Sequence, residues 1–400
     1  MKKCIAVSAI AAVALGVLLA AFGSSESSAK SSTAASTAPR GKPTIALSLP
    51  AMDNPLMLAF KDVFTQTFGK TYNIEVASAD GNPNTQATQI QNYTAEGVKF
   101  LFVMETEPTS LLSTLQAARK AGVTVLVAGG DPGARNAYDA VMKMDQFLAG
   151  EYCALLAKNW VNQTYPKAAA GSVQTAILES TLTPESVNRD KGLAMISQRY
   201  LKDATGAYIA ANGKRISNAK GHYLAGKSAS DRVKNPAYCP AVKIVKHVEA
   251  AMMQDGQTVT QNLLTTNPNL KLVLAYSSDG GMGASNAIMD DQSISDKSKV
   301  AVFGVGMVGA EAQAITDSAT GKGVFRGAVS FGGPNLPQST VQLVQKMLSG
   351  KKYPRITWDP LALGTLVNGK LVIKPVANAG VIVVPKAGTK TRQAAALPQP

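Results

Sequence analysis

The sequence predicts an α/β protein made of two doubly wound parallel-sheet lobes, with helices on both faces of each sheet. Short apolar runs alternate along the chain with amphipathic stretches of about 10 to 15 residues. The runs are continuously apolar, which is typical of strands buried on both faces. The alternation restarts after Asp145, and 400 residues with 46% hydrophobic content are enough for two or three domains with cores.

The first series of elements precedes Asp145. Each of its apolar runs contains β-branched residues, and each stretch that follows has apolar side chains at helical spacing. The predicted strands are 44–49, 74–78, 100–104 and 123–128, and the predicted helices are about 54–68, about 85–96 and 110–121.

The second series has the same order of elements. It predicts a helix over 146–160, a strand over 173–178, a helix from about Asn188, and strands at 272–275 and 300–303. Between about 201 and 240 the pattern weakens into Gly, Ala, Asn, Ser and Lys, which indicates an insertion on the second lobe.

The N-terminus predicts export. Lys2 and Lys3 precede an apolar run over 5–21, and small residues follow it, so 1–23 is interpreted as an export signal. An uncleaved membrane anchor is the alternative. The stretch before Gly23 resembles a lipoprotein box, but Phe22 stands where the lipidated cysteine would be, so lipidation is not expected. Residues 24–42 are interpreted as a flexible linker and 387–400 as a disordered tail.

Export would determine the redox environment of the cysteines. Cys4 leaves with a cleaved signal, and Cys153 and Cys239 remain in an oxidising compartment. Sequence alone does not show whether their side chains come within bonding distance, so a disulfide and two free thiols both stay open.

Composition disfavours several classes of function. The net charge is +14, but the basic residues are scattered and form no arginine-rich block, so no nucleic-acid partner is expected. With two histidines and three cysteines, spacings typical of zinc ligands are absent from the sequence. We therefore expect no metal, no cofactor and no enzymatic activity.

One sequence motif favours an enzymatic function. Residues 304–309 read Gly-Val-Gly-Met-Val-Gly after a predicted strand, the pattern that lets a backbone approach a pyrophosphate. The acidic residue expected about 20 positions later is missing, and the next strand carries Arg326 instead. A tight strand-to-helix turn is the alternative, and an exported NAD-dependent oxidoreductase remains the less favoured function.

Two other catalytic patterns are weaker. Ser330 lies in a sequence that approaches the nucleophile elbow of hydrolases, but both histidines precede it, whereas that fold needs its histidine downstream. A pair of carboxylates near strand ends could act as acid and base, as in a glycosidase, although solvated or helix-capping acids are the commoner explanation. The carboxylates concerned are Glu105, Glu107, Asp131 and Asp279.

A set of linked segments carries a resemblance. They are Leu47-Ser48-Leu49 before Asn54-Pro55; residues 79–83 with Gln86, Gln89 and Gln91; residues 97–99 with Thr106 and 117–125; Asn188-Arg189 with Gly192-Leu193; and residues 262–264 with Pro268, Leu270 and Gly283-Ala284. In order and spacing, over about 42–367, the chain resembles the type I periplasmic binding proteins, specifically the ribose/galactose-type substrate-binding proteins of bacterial ABC importers.

The resemblance implies a three-crossing hinge between the lobes, with crossings near 144–145, near 331–332 and around 358–363. The N-terminal lobe would comprise 43–144 plus 332–358, and the C-terminal lobe 145–331 plus 359–386. A ligand that bridges both lobes would favour the closed state. The 304–309 motif would then fall on a turn of the second lobe.

Ligand residues are expected just beyond the carboxyl ends of the strands. Asn54 and Arg189 match the family's conserved positions. Elsewhere the sequence departs from the family: Leu56-Met57 replaces the aromatic pair, Gly129-Gly130 with Asp131 replaces Asp-Arg, Gly306 replaces an acid, and Phe331 replaces a glutamine. The expected ligand-binding residues are Met52, Asn54, Leu56, Met57, Glu105, Thr106, Asp131, Arg189, Ser277, Asp279, Met307 and Phe331, with Tyr276 in the apolar wall.

The resemblance implies a periplasmic or cell-surface solute receptor. It would capture a small molecule, either a sugar or sugar-like molecule or another small solute, and deliver it to the membrane permease of an ABC transporter. A sensor or chemoreceptor-linked binding protein of the same fold is the alternative. We expect the receptor to act as a monomer.

Overall fold

A computed structural model describes residues 41–52, 55–107, 109–181, 184–306, 310–331 and 336–376. One compact unit begins at Lys42. The predicted export signal, most of the linker and the predicted tail lie outside the described residues. Among the helices of the described ranges, none is long and apolar enough to cross a membrane.

The first sheet has six strands, all parallel, in the order β11-β5-β4-β3-β1-β2. The strands are β1 Thr44–Leu49, β2 Asn73–Ser78, β3 Phe100–Met104, β4 Thr124–Gly129, β5 Ala140–Lys143 and β11 Ile356–Trp358, and the helices are α1 Pro55–Phe68, α2 Pro83–Glu96, α3 Leu112–Lys120 and α9 Leu336–Leu348. Separate apolar clusters cover its two faces, one of them centred on the rings of Phe60, Phe64 and Phe102.

The second sheet has seven strands in the order β13-β12-β10-β9-β8-β6-β7. They are β6 Val173–Glu179, β7 Val242–Glu249, β8 Leu270–Ala275, β9 Ala301–Val305, β10 Phe325–Phe331, β12 Leu361–Val367 and β13 Lys370–Val376. Its helices are α4 Gln146–Thr164, α5 Pro184–Leu193, α6 Met253–Thr266, α7 Ser278–Asp290 and α8 Ala310–Ala319. β12 is antiparallel to both β10 and β13, so this sheet is mixed.

The predicted α/β class with two doubly wound sheets is confirmed. The chain passes from the first sheet to the second after β5, returns between β10 and α9, and leaves again between β11 and β12. The exact lobe boundaries stay a prediction. The helix expected from about Asn188 begins at Pro184, because proline favours the first turn of a helix.

Small residues set the closest helix contacts. A Cβ on Gly150 of α4 would meet the Arg189 carbonyl oxygen at 2.1 Å, and one on Gly192 of α5 would meet the Phe147 carbonyl oxygen at 2.1 Å. The two glycines therefore let α4 and α5 touch through their backbones, which fixes α5 and its side chains against the start of α4.

The two remaining cysteines are free thiols. Cys153 in α4 and Cys239 before β7 are both buried in the same apolar cluster. Burial raises the pKa of the Cys153 thiol. The disulfide alternative is therefore wrong for this structure, and the pair acts as small apolar core residues.

Candidate functional site

The carboxyl ends of the parallel strands carry the polar groups of the candidate site. Glu105 and Thr106 follow β3, and Asp131 follows β4 in the first sheet. In the second sheet Tyr276 and Ser277 follow β8, and Phe331 ends β10. Such edges are where open α/β sheets bind ligands.

Glu105 is a buried carboxyl group. Its Oε2 accepts a hydrogen bond from the Gly130 backbone N–H at 3.2 Å, while its Oε1 is buried without a partner among the described residues. Burial, together with the nearby acids Asp131, Glu185 and Glu107, raises the pKa of Glu105 to about 8 against the opposing Gly130 bond. With this pKa the group is mostly protonated at neutral pH, so it can both donate and accept a hydrogen bond.

The charge of Glu185 acts on Glu105, although the two residues belong to different sheets. Glu185 lies in the first turn of α5, on the second sheet, whereas Glu105 belongs to the first. Since its charge raises the pKa of Glu105, the first turn of α5 on the second sheet lies near the end of β3 on the first sheet.

Thr106 is held by a buried amide. Gln86 of α2 accepts hydrogen bonds from the Thr106 N–H at 2.8 Å and from its Oγ1 at 2.9 Å. The same side chain donates to the Met104 carbonyl oxygen at 2.8 Å. Gln86 therefore fixes the end of β3 and so the direction of the neighbouring Glu105 side chain.

Asp131 is already engaged by protein groups. It pairs with Lys143 and accepts hydrogen bonds from the Gly133 N–H at 3.0 Å and the Tyr138 hydroxyl at 3.3 Å. Burial acts to raise the pKa of Asp131, but these hydrogen bonds outweigh it and hold the pKa below its usual value. Its carboxylate forms an ion pair that fixes the Lys143 side chain at the first crossing between the sheets.

Arg189 is the half-buried cation of the site. Its Nε and Nη2 donate to the Gln146 Oε1 at 2.9 and 2.6 Å, and its Nη1 donates to the Tyr276 carbonyl oxygen at 2.7 Å. The guanidinium lies 4.2 Å from the Tyr276 ring centroid and 5.2 Å from that of Phe331. These bonds use three of its five N–H groups, and its described partners are neutral.

Ser277 and Asp279 belong to the start of α7. Ser277 caps this helix by accepting from the Gly280 N–H at 3.0 Å and donates to the Ala251 carbonyl oxygen. Asp279 is exposed in the first turn. Gly304 lies inside β9, where a Cβ would meet the Ser278 Cα at 2.9 Å. This glycine of the 304–309 motif therefore serves close strand-to-helix packing.

The predicted apolar residues divide between surface and core. Met52 and Leu56 are half-buried against the first sheet's apolar cluster, while Met57 is 4% exposed and belongs to that cluster. The structure therefore brings Arg189 together with Phe331 and Tyr276 on the second sheet, places Glu105 beside Asp131 on the first, and places Met57 in the core. Asn54 and Met307 lie outside the described residues.

Three further carboxyl groups are buried near the strand ends or the crossings and were not predicted. Burial raises the pKa of Glu151, Asp190 and Asp359 to about 7 each. Each has at least one oxygen without a hydrogen-bond partner among the described residues, and Asp359 has two. Gln146 and Glu185 were also missed, since neither stands directly after a predicted strand.

The family model described as "Periplasmic binding protein domain" matches residues 45–352. The chain belongs to this family. The ribose import binding protein of Escherichia coli K12 is 24% identical over 270 residues, which are 66% of this chain and 72% of that protein. The ribose import binding protein of Salmonella typhimurium is 24% identical over 62% of this chain and 68% of its own length.

Two solved structures with bound small molecules share the fold. A Mycobacterium smegmatis protein in complex with β-D-fucofuranose has a TM-score of 0.59 at 19% identity, covering 78% of this chain and 88% of that one. The Caulobacter myo-inositol binding protein, bound to myo-inositol, has a TM-score of 0.58 at 22% identity, covering 83% and 96%.

Proposed function

We propose that this periplasmic binding protein is the extracytoplasmic solute receptor of an ABC importer. It captures a neutral, sugar-like molecule between its two sheets and delivers it to the transporter's membrane permease. No chemical step is involved. The family membership, the similarity to ribose import binding proteins and the predicted export signal support this function.

The observation that carries the proposal is the arrangement of Arg189 and Glu105. The first is a cation within reach of two aromatic rings on the second sheet, and the second is a mostly protonated acid at the carboxyl end of β3 in the first sheet. Both retain hydrogen-bonding capacity after their protein partners are counted. A small molecule that meets both groups would join the two lobes.

The charges of the site favour a neutral ligand with hydroxyl groups. A hydroxyl accepts from the Arg189 guanidinium and both donates to and accepts from a protonated Glu105. A ligand carboxylate would gain from Arg189, but it would also face Glu107, Glu185 and Asp131 around Glu105. Like charges at such a site oppose binding.

The proposed motion is closure of the lobes about the three crossings. The lobes would be 43–144 plus 332–358 and 145–331 plus 359–386, with 201–240 as an insertion. A ligand that contacts both lobes favours the closed state by the contacts that the open state lacks.

The proposed docking surface for the permease lies beside the cleft. Leu58, in the first turn of α1, is 44% exposed, and Met252 and Met253, at the start of α6, are 63% and 43% exposed. Leu58 follows the carboxyl end of β1 in the first sheet, and the two methionines follow that of β7 in the second. A permease that contacts the exposed apolar side chains of both sheets would distinguish the closed receptor from the open one.

Isothermal titration calorimetry tests the ligand class and the site together. The panel contains neutral polyols (D-ribose, D-allose, myo-inositol) and D-glucuronate as the acidic counterpart. We expect a neutral polyol to bind and Arg189→Gln to weaken it by about 10- to 100-fold, since a hydrogen bond to a charged group contributes roughly 1.5 to 3 kcal/mol.

Arg326→Gln is the matched control. Arg326 is also partly buried and donates to backbone carbonyl oxygens of Val300 at 3.1 Å and Lys297 at 3.0 Å, but it lies at the amino end of β10. We expect this variant to keep full affinity. Equal losses in both variants, or tighter binding of glucuronate than of every neutral polyol, would contradict the assignment.

A further inference from the structure

The segment 201–240, here called the basic insertion, differs in charge from the rest of the surface. It carries seven basic side chains against two acids, Asp203 and Asp231. The basic residues are Lys202, Lys214, Arg215, Lys220, Lys227, Arg232 and Lys234. It contains isolated antiparallel bridges rather than continuous strands, and it leads from the end of α5 to β7.

A cation surrounded by tyrosines holds the basic insertion together. The Arg232 guanidinium lies 3.8 Å from the ring centroid of Tyr200, 5.4 Å from that of Tyr208 and 5.9 Å from that of Tyr223. The Tyr208 and Tyr223 rings stack at 6.0 Å with an 11° interplanar angle. These ring faces are therefore occupied by protein groups.

The base of the insertion is fixed to the second lobe. Asn235 donates to the Met195 and Gln198 carbonyl oxygens at 2.6 and 2.7 Å, and the Cys239 N–H donates to the Ile196 carbonyl oxygen at 2.8 Å. A small apolar cluster that includes Phe147 of α4 lies beneath it. The insertion is thus a defined surface on this lobe.

Its outermost part combines lysines with apolar side chains. Every residue from 222 to 231 is exposed, and so is Lys220. Tyr223 is 37% exposed and Leu224 is 44% exposed, between Lys220 and Lys227. Asp203 pairs with Arg215 and Asp231 caps the turn at Ser228, whereas in the described ranges no ion pair involves Lys220 or Lys227.

We propose that the basic insertion binds an anionic phospholipid surface. The lysines lie at headgroup level, and Leu224 with the edge of Tyr223 enters the interface between headgroups and acyl chains. Soluble polyanions fit less well. They would leave Leu224 in water, and the tyrosine faces that could stack on sugar or base rings are already covered by Arg232 and by each other. This contact holds the receptor at a membrane whether or not its cleft is filled.

Vesicle co-sedimentation tests the proposal. The protein beginning at Lys42 is used, because that compact unit contains both sheets and the upstream apolar run would itself bind lipid. The vesicles are phosphatidylglycerol with phosphatidylcholine in equal parts, or phosphatidylcholine alone. We expect binding to the anionic vesicles only. Lys220→Gln with Lys227→Gln should lower the partition coefficient about 25-fold, since each lysine near such a surface contributes roughly fivefold.

Lys351→Gln with Lys352→Gln is the control, because it removes the same charge from exposed positions on the first lobe. It should leave the partition coefficient unchanged within about twofold, and Leu224→Ser should lower it without altering net charge. Circular dichroism verifies that the variants fold. Equal losses in the two lysine pairs, binding to neutral vesicles, or binding to dextran sulfate with none to anionic vesicles would each overturn the proposal.

Discussion

Asp359→Asn is the substitution whose effect the structure defines most sharply. Asp359 lies between β11 and β12 and is 1% exposed, and neither of its carboxyl oxygens has a hydrogen-bond partner among the described residues. Burial raises its pKa from 3.8 to about 7. The folded protein therefore holds this proton more tightly than the unfolded chain does.

The sign of the pH dependence follows from that difference. Between pH 4 and pH 7 the folded state binds more protons at Asp359, so its contribution to the free energy of unfolding falls as the pH rises. From pH 5 to pH 8 the fall is roughly 3 kcal/mol, because nearly all of it occurs over the two pH units between pH 5 and pH 7, each of which changes the free energy by about 1.36 kcal/mol. Asparagine has no such titration, although its unpartnered amide costs about 1 to 3 kcal/mol at every pH.

Urea unfolding at pH 5, 6, 7 and 8 measures the effect. The wild type should lose stability across this series, and Asp359→Asn should lose roughly 3 kcal/mol less. The control is Asp290→Asn, which changes an exposed acid at the end of α7 and should keep the wild-type slope. Parallel curves for the wild type and Asp359→Asn would refute the argument that Asp359 is buried and protonated.

Three other predictions follow from single contacts. Ligand affinity should decline above about pH 8 as Glu105 ionises, and titration calorimetry from pH 6 to 9 should find no such decline in Glu105→Gln. Gly283→Ala should cost about 3 kcal/mol in urea unfolding, because its Cβ would meet the Met253 carbonyl oxygen at 1.9 Å, whereas Gly323→Ala, with its nearest atom at 3.7 Å, should cost far less. Cys153 and Cys239 should react with a thiol reagent only after unfolding, and dithiothreitol should leave the melting temperature unchanged.

Hydrophobic pattern predicted the strands that are buried on both faces. β3, for example, is apolar and buried at all five positions and was predicted with its observed bounds. Among the edge strands, β2 was predicted, but β7 and β11 escaped the prediction because solvent covers one side of them. β7 carries exposed Lys243 and His247, and β11 has only three residues. Such strands form because a neighbour supplies their hydrogen bonds, which a local pattern does not reveal.

Residues of the candidate site that stand at strand ends were predicted, whereas a residue that reaches the site only through helix packing was missed. Glu105 and Phe331 were found because each stands at the end of a strand. Gln146 was missed because it begins a helix, and it reaches Arg189 only through the close contact of α4 with α5 at Gly150 and Gly192. The sequence alone does not reveal that contact, because the two glycines are 42 positions apart.

The first and third crossings are joined side by side. β5 pairs with β11, so Lys143 lies opposite Trp358, and its ammonium group is 5.7 Å from the centre of the Trp358 ring. The Asp359 N–H then donates to the Lys143 carbonyl oxygen at 2.8 Å. Because these two crossings share hydrogen bonds, a rotation of one would have to move the other or break those bonds. The buried Asp359 carboxyl group lies beside both crossings, so a motion that admitted water to it would become easier as the pH rises from about 4 to about 7 and would change no further above that pH.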